Sequence, residues 1–148
     1  MFGSVTGRLR VIYIDDDRLN LTVVSHMLEC VAADVACFTN VDEALAALQT
    51  QAFHVGLIDI HMPQMSGVEF LHQLRRQIGP NRAMPALALT ADLSRAERQY
   101  RELGFDGFIA KPVTLKTLLG GIVKVLARAA EAKASAKAAP GSPSSSAA

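Results

Sequence analysis

Tryptophan is absent from this chain of 148 residues, and aromatic residues make up only 5 % of it. A surface that stacks nucleobases needs such rings, and a nucleic-acid interface leaves a basic footprint. The formal net charge is only +1, and it resides in the stretch from Ala129 onward, where Lys133 and Lys137 face a single Glu131. Residues 1–128 balance at zero, which argues against a nucleic-acid partner. The two cysteines, Cys30 and Cys37, form no CxxC pair, and both read as small buried apolar residues with reduced thiols. No apolar run approaches the roughly 20 residues that span a bilayer. The first ten residues lack the apolar core of a secretory signal. These absences predict a cytoplasmic protein without a membrane partner. The 50 % hydrophobic and 20 % charged composition is that of a globular chain, long enough to bury one core.

What is present is alternation. Short aliphatic or β-branched runs fall at 10–14, 34–38, 54–60, 84–90 and 106–110. Segments with helical spacing lie between them. Their apolar stripes are Val23, Val24, Met27, Leu28 and Val31; then Val41, Ala44, Leu45 and Leu48; then Val68, Leu71, Leu74 and Ile78. The last and strongest is Leu115, Leu118, Leu119, Ile122, Val125 and Leu126. The fourth candidate helix, 94–103, is mostly charged and offers only Ala96, Tyr100 and Leu103 as an inner face, so it should be the least firmly packed. Ser66, Ser94 and Thr114 are placed to N-cap the third, fourth and fifth helices. Gly104 follows the fourth as a C-terminal glycine would. Five βα units predict a parallel sheet covered on both faces. The expected fold is a flavodoxin-like (βα)5 three-layer α/β sandwich with strand order 2-1-3-4-5. Residues 1–8 read as a leader, 9–128 as the domain, and 129–148 as an Ala/Ser/Pro-rich tail. Alanine favours prolonging the last helix into that tail, whereas the stretch from Ala139 is expected to be disordered.

Four of the apolar runs end in polar residues suited to one reaction. Val11-Ile12-Tyr13-Ile14 runs into Asp15-Asp16-Asp17, Val55-Gly56-Leu57-Ile58 into Asp59, Ala86-Leu87-Ala88-Leu89 into Thr90, and Phe108-Ile109-Ala110 into Lys111-Pro112. Open α/β sheets bind ligands at the carboxyl ends of their strands, and in the order 2-1-3-4-5 these four strands are neighbours. Clustered carboxylates repel by about 4 kcal/mol per close pair at an effective dielectric near 20. Lys111 alone supplies +1, so a hard divalent cation is implied, with Mg2+ the natural choice and Mn2+ the alternative. Asp59 is then placed as a nucleophile towards phosphorus, Lys111 as a charge clamp and Thr90 as a hydroxyl for a phosphoryl oxygen. Each element alone is commonplace: an Asp run before a helix is most often a cap, a lone Asp after a strand a turn residue, and Lys111 a solvated loop residue. Their coincidence at one sheet edge carries the reading.

The residues then match a family. Ile12-Tyr13-Ile14-Asp15-Asp16-Asp17, Leu57-Ile58-Asp59-Ile60-His61-Met62-Pro63, Ser66-Gly67, Ala88-Leu89-Thr90-Ala91 and Gly107-Phe108-Ile109-Ala110-Lys111-Pro112 resemble, in order and spacing, the receiver domains of bacterial two-component response regulators. The resemblance implies that Asp59 is the phosphoacceptor, served by a histidine kinase or a histidine phosphotransfer protein. It implies Mg2+ held by Asp16, Asp59 and the backbone carbonyl of His61, with Asp15 acting through a metal-bound water. It further implies that Lys111 contacts the phosphoryl group across a cis Lys111-Pro112 bond. Thr90 and Phe108 form the switch, and His61 and Asp92 tune hydrolysis of the acyl phosphate. Gly56 inside a strand and His54 where an acid is common are departures. His26 and His72 form no ligand set with His54 or His61.

An output surface is expected on the fourth helix, fifth strand and fifth helix, with Arg95, Arg98, Arg101, Phe108 and Lys116 as contacts to a downstream protein. Pairing of two copies through the same helices is an allowed homodimer. The expected mode is a free-standing receiver without an output domain, acting by protein binding and not as a turnover enzyme. Alternatives are the excised C-terminal receiver of a hybrid histidine kinase, which Asn20 and the Leu89-Thr90-Ala91 run also suit, and a small aspartyl-nucleophile phosphohydrolase. Such a hydrolase wants a second acid where His61 stands and a substrate cap. A receiver that switches without phosphorylation is a third reading, opposed by the complete set of Asp15, Asp16, Asp59, Thr90 and Lys111.

Overall fold

The computed structural model describes residues 7–138. Five strands, β1 (Arg10–Ile14), β2 (Asp34–Phe38), β3 (Val55–Asp59), β4 (Ala86–Thr90) and β5 (Gly107–Ala110), alternate with five helices, α1 (Arg18–Glu29), α2 (Val41–Thr50), α3 (Gly67–Arg76), α4 (Glu97–Glu102) and α5 (Leu115–Ala138). The strands form one parallel sheet in the order β2-β1-β3-β4-β5. Both faces are covered, and the period-2 alternation of each strand divides the core in two. Ile12, Ile14, Ile58 and Ala88 pack with Leu48, Phe70, Leu71 and Tyr100 from α2, α3 and α4. Val11, Tyr13, Leu57 and Leu89 pack with Leu21, Val24, Leu118 and Ile122 from α1 and α5. Every residue of β3 and β4 is buried, as a strand covered on both faces must be.

The helices depart from their sequence stripes at the ends. α1 stops at Glu29 with Cys30 as its cap, so Val31 falls beyond it and is 40 % exposed, and Val23 also faces outward. Leu21, which the stripe omitted, takes the inner position instead. Ile78 lies beyond α3 and is 91 % exposed, while Phe70 supplies the buried contact. The expected Ser94 cap is not formed. The Ser94 amide instead bonds Asp92 Oδ1 in an Asx-type turn, and α4 starts later, at Glu97, with Ala96 in the N-cap position donating its N–H to Gln99 Oε1. Ser66 does cap α3, in a reciprocal pair with Glu69, and Thr114 Oγ1 accepts the Thr117 amide at the start of α5. Gly104 adopts φ +108° after α4, a region glycine enters without the Cβ penalty.

Of the expected leader, residues 1–6 lie outside the described residues, while Arg8 pairs with Asp34 at 3.2 Å. The Ala-rich segment continues α5 to Ala138, and the stretch from Ala139 lies outside the described residues. Cys30 is exposed because it ends α1, not buried as expected, and Cys37 is half-buried on edge strand β2. Burial raises the Cys37 thiol above its ordinary pKa. Among the described residues no helix is long and apolar enough to cross a membrane.

Candidate functional site

The carboxyl ends of β1, β3, β4 and β5 meet at one edge. Asp15 follows β1 and is fully buried, its backbone N–H donating to the Phe38 carbonyl. Asp16 is exposed. The Asp17 side chain turns away to cap α1, accepting the Leu19 and Asn20 amides, and takes no part in the acid cluster. Asp59 ends β3 with 3 % of its surface exposed. Gly67 is required behind it. A Cβ there would stand 2.5 Å from the Asp59 carbonyl oxygen, so α3 packs its first turn directly on the strand end.

Thr90 ends β4, buried, and its hydroxyl accepts the Asp92 amide at 3.0 Å. Lys111 follows β5, with its backbone N–H on the Thr90 carbonyl and a cis bond to Pro112. Its ammonium reaches back to Asp59 Oδ1 at 3.0 Å and Asp15 Oδ2 at 3.3 Å. His61 is exposed in the loop after β3, its backbone N–H directed at Asp59 Oδ1 at 3.4 Å. Phe108 is half-buried and stacks on Tyr100.

One cation therefore serves two buried carboxylates. Burial first, and then the Asp15 charge, push the Asp59 carboxyl up to about 7, with Lys111 opposing. Burial also works against an ionised Asp15. Hydrogen bonds from Tyr13 and the Asp17 amide, with the Lys111 charge, outweigh that and hold it below the usual carboxylate range. For Lys111, burial is outweighed by its pairing with Asp59 and Asp15, which raises its pKa. Carboxylate oxygens of Asp15, Asp16 and Asp59 all lie within 4.8 Å of one another. This surplus of hard anionic oxygen fits a divalent cation such as Mg2+.

Sequence reasoning missed Tyr13. Its hydroxyl donates to Asp15 Oδ2 at 2.6 Å, and burial together with that bond raises the phenol far above its ordinary pKa. The signal was available: residues i and i+2 of a strand share a face. It was hidden because Tyr13 sits inside an apolar run and reads as core. Asn20, one turn into α1, adds an amide donor to the same oxygen at 3.4 Å.

Residues 11–122 match the model of the response regulator receiver domain. The chain belongs to that family. It is 33 % identical over 113 residues to the sensory/regulatory protein RpfC of Xanthomonas campestris pv. campestris, a match that covers 75 % of this chain and 16 % of RpfC. It is 34 % identical over 118 residues to the sensor histidine kinase AruS of Pseudomonas aeruginosa, covering 78 % of this chain and 12 % of that kinase. The chain thus spans only a small part of the curated relatives it matches. Among solved structures, the receiver resembles the Vibrio cholerae chemotaxis protein CheY4, with a TM-score of 0.74 and 32 % identity over 80 % of this chain and 99 % of that one. The receiver domain of the Pseudomonas aeruginosa sensor kinase PA1611, which has a magnesium ion in its active-site cleft, shares the fold at 22 % identity and a TM-score of 0.72, covering 82 % of this chain and 99 % of that one. Receiver domains are signalling phosphoacceptors that work with histidine kinases or phosphotransfer proteins, and the five-stranded order found here is theirs.

Proposed function

We propose that Asp59 of this receiver takes the phosphoryl group from a phosphohistidine. The observation that carries the reading is the Lys111 ammonium held between Asp59 and Asp15 inside the acid cluster. A carboxylate oxygen of Asp59 attacks phosphorus. A P–O bond forms as the P–N bond breaks, and the electron pair returns to the imidazole of the donor, which takes up a proton. Lys111 passes from the Asp59 oxygen to a phosphoryl oxygen, and the Thr90 hydroxyl, at present an acceptor, is free to donate its proton to another. Asp15, Asp16 and Asp59 would hold Mg2+, or Mn2+ in its place, with the His61 carbonyl as a further ligand. An ion held there would supply positive charge to offset that on the transferring group. The Mg2+ reported for the PA1611 receiver supports this choice. His61 and Asp92, at the mouth of the site, would tune the lifetime of the acyl phosphate.

The donor would be a cytoplasmic histidine kinase or phosphotransfer protein. The apolar groove of Leu19, Val23, Pro112 and Val113, which Lys111 also lines, is where it would dock. The output face would be α4, β5 and α5, with Arg95, Arg98, Arg101, Phe108 and Lys116, and it would also serve a homodimer. We take the domain as 9–128, followed by the 129–148 segment. The curated relatives favour a second reading in which the same receiver works within a longer sensory protein, since AruS is a sensor histidine kinase, RpfC a sensory/regulatory protein, and only 12–16 % of their length is matched.

Acetyl phosphate with Mg2+, followed by intact mass, tests the assignment. One phosphoryl adduct, lost in Asp59→Asn, is expected. Sustained turnover of free phosphomonoesters would instead favour the hydrolase.

A further inference from the structure

The Asp15 carboxylate accepts four protein donors. Oδ1 takes the Asp17 amide at 2.9 Å. Oδ2 takes the Tyr13 hydroxyl at 2.6 Å, the Lys111 ammonium at 3.3 Å and the Asn20 amide at 3.4 Å. Of the roughly four lone-pair sites of a carboxylate, about two belong to each oxygen, so the three donors on Oδ2 compete. Lys111 has a second acceptor in Asp59, closer at 3.0 Å. Tyr13 makes the shortest of the four bonds, a charge-assisted one. Its ring is fully buried in the core beside α1 and α5, so the hydroxyl has no freedom to leave.

We propose that Tyr13 is a positioning residue: its hydroxyl satisfies Asp15 with a neutral donor, so that Lys111 is released from Asp15 to follow the phosphoryl group on Asp59. The inference rests on the reading of Asp59 as acceptor. Without the hydroxyl, that competition at Oδ2 ends, and the ammonium already in contact takes the larger share of the oxygen. Lys111 is then held by Asp15 when the phosphoryl oxygens need it. The neutral phenol meets the demand of the carboxylate without adding a second cation that would bind the phosphoryl group in the wrong place.

Tyr13→Phe, which keeps the ring, tests this in the full chain. The first readout uses no phosphoryl donor. Lysine-selective 15N NMR should show the Lys111 ammonium protons exchanging with water about tenfold more slowly in the variant, because the ion pair with Asp15 tightens. The second readout is phosphorylation by acetyl phosphate at saturating Mg2+. The maximal rate should fall about tenfold, while the half-saturating donor concentration stays within about twofold. Asn20→Ala, at a surface helix and with a longer bond, should move both readouts in the same direction but less. Unchanged Lys111 exchange in Tyr13→Phe overturns the proposal whatever the kinetics show. A rate loss matched by an equal rise in half-saturating concentration also overturns it, as damage to binding rather than to Lys111. A wild-type chain that takes no phosphoryl group on Asp59 overturns the reading of Asp59 as phosphoacceptor, and the exchange readout, which needs no donor, tells that failure apart.

Discussion

The ring of Phe108 stacks on that of Tyr100, with centroids 5.0 Å apart and planes 24° from parallel. Tyr100 is in turn tied to the site: its hydroxyl donates to the Asp92 carbonyl at 3.3 Å, and the Asp92 amide donates to Thr90 Oγ1 at 3.0 Å. Thr90 is thus linked to the half-buried aromatic of β5 through α4, a six-residue helix with a single buried residue. Tyr100→Phe keeps the stack and removes the link. It should cost no more than about 1 kcal/mol of stability. It should also reduce the change in amide protection over residues 90–113 that beryllofluoride, a phosphoryl mimic, produces in the wild type. Identical protection changes in the two proteins would show that Thr90 and Phe108 are not coupled this way.

Stability should depend on pH through Asp59. Its carboxyl is raised from 3.8 to about 7 by burial and then by Asp15. A group whose pKa is raised by folding contributes stability that is full below its unfolded value and lost as pH climbs through its folded value. Metal-free protein should therefore lose stability between pH 4 and 7. Asp59→Asn, which removes the buried charge but keeps the shape, should gain about 2 kcal/mol over wild type at pH 8 and little at pH 4. Thermal melts in EDTA at both pH values measure this. Asp15, whose pKa is lowered, acts in the opposite sense and in a separate window, below its ordinary 3.8.

Gly67→Ala probes the close approach of α3 to β3. The added methyl meets backbone at 2.5 Å, which cannot rotate away as a side chain would. A loss of about 1–3 kcal/mol in urea unfolding is expected, along with slower phosphorylation because the strand end carrying Asp59 must shift. A melt like that of the wild type would mean that α3 can slide outward freely.

Glu97 joins α4 to α5. It accepts from Arg101 at 3.0 Å, Lys124 at 3.3 Å and Arg128 at 3.4 Å. Its side chain is 34 % exposed, so solvent screens these pairs and Glu97→Gln should cost under about 1 kcal/mol. The local effect should be larger: α4 amides should exchange about fivefold faster, and 0.5 M salt should produce the same loosening in the wild type. Unaltered α4 exchange would assign the hold on this helix to Tyr100 alone.

Five strand-like runs and the four polar strand ends were legible in the sequence, because period-2 and period-3.6 patterns report burial directly, whereas the strand order was supplied by the flavodoxin-like fold class and not by any periodicity. Local patterning also made the caps at Ser66 and Thr114 legible. It failed at Ser94, which bonds Asp92 in the loop because α4 begins only after Ala96, and at Val31 and Ile78, whose apolar character extended a stripe past the end of its helix. Two things only the tertiary structure decided. One is that Lys111, 52 residues from Asp59 and 96 from Asp15, divides its charge between two buried carboxylates, an outcome set by three-dimensional distance and desolvation. The other is that the hydroxyl of Tyr13 closes on Asp15 at 2.6 Å: their shared face follows from strand period, but only the packing of both faces of the sheet buries the pair and leaves the carboxylate to be satisfied by protein donors.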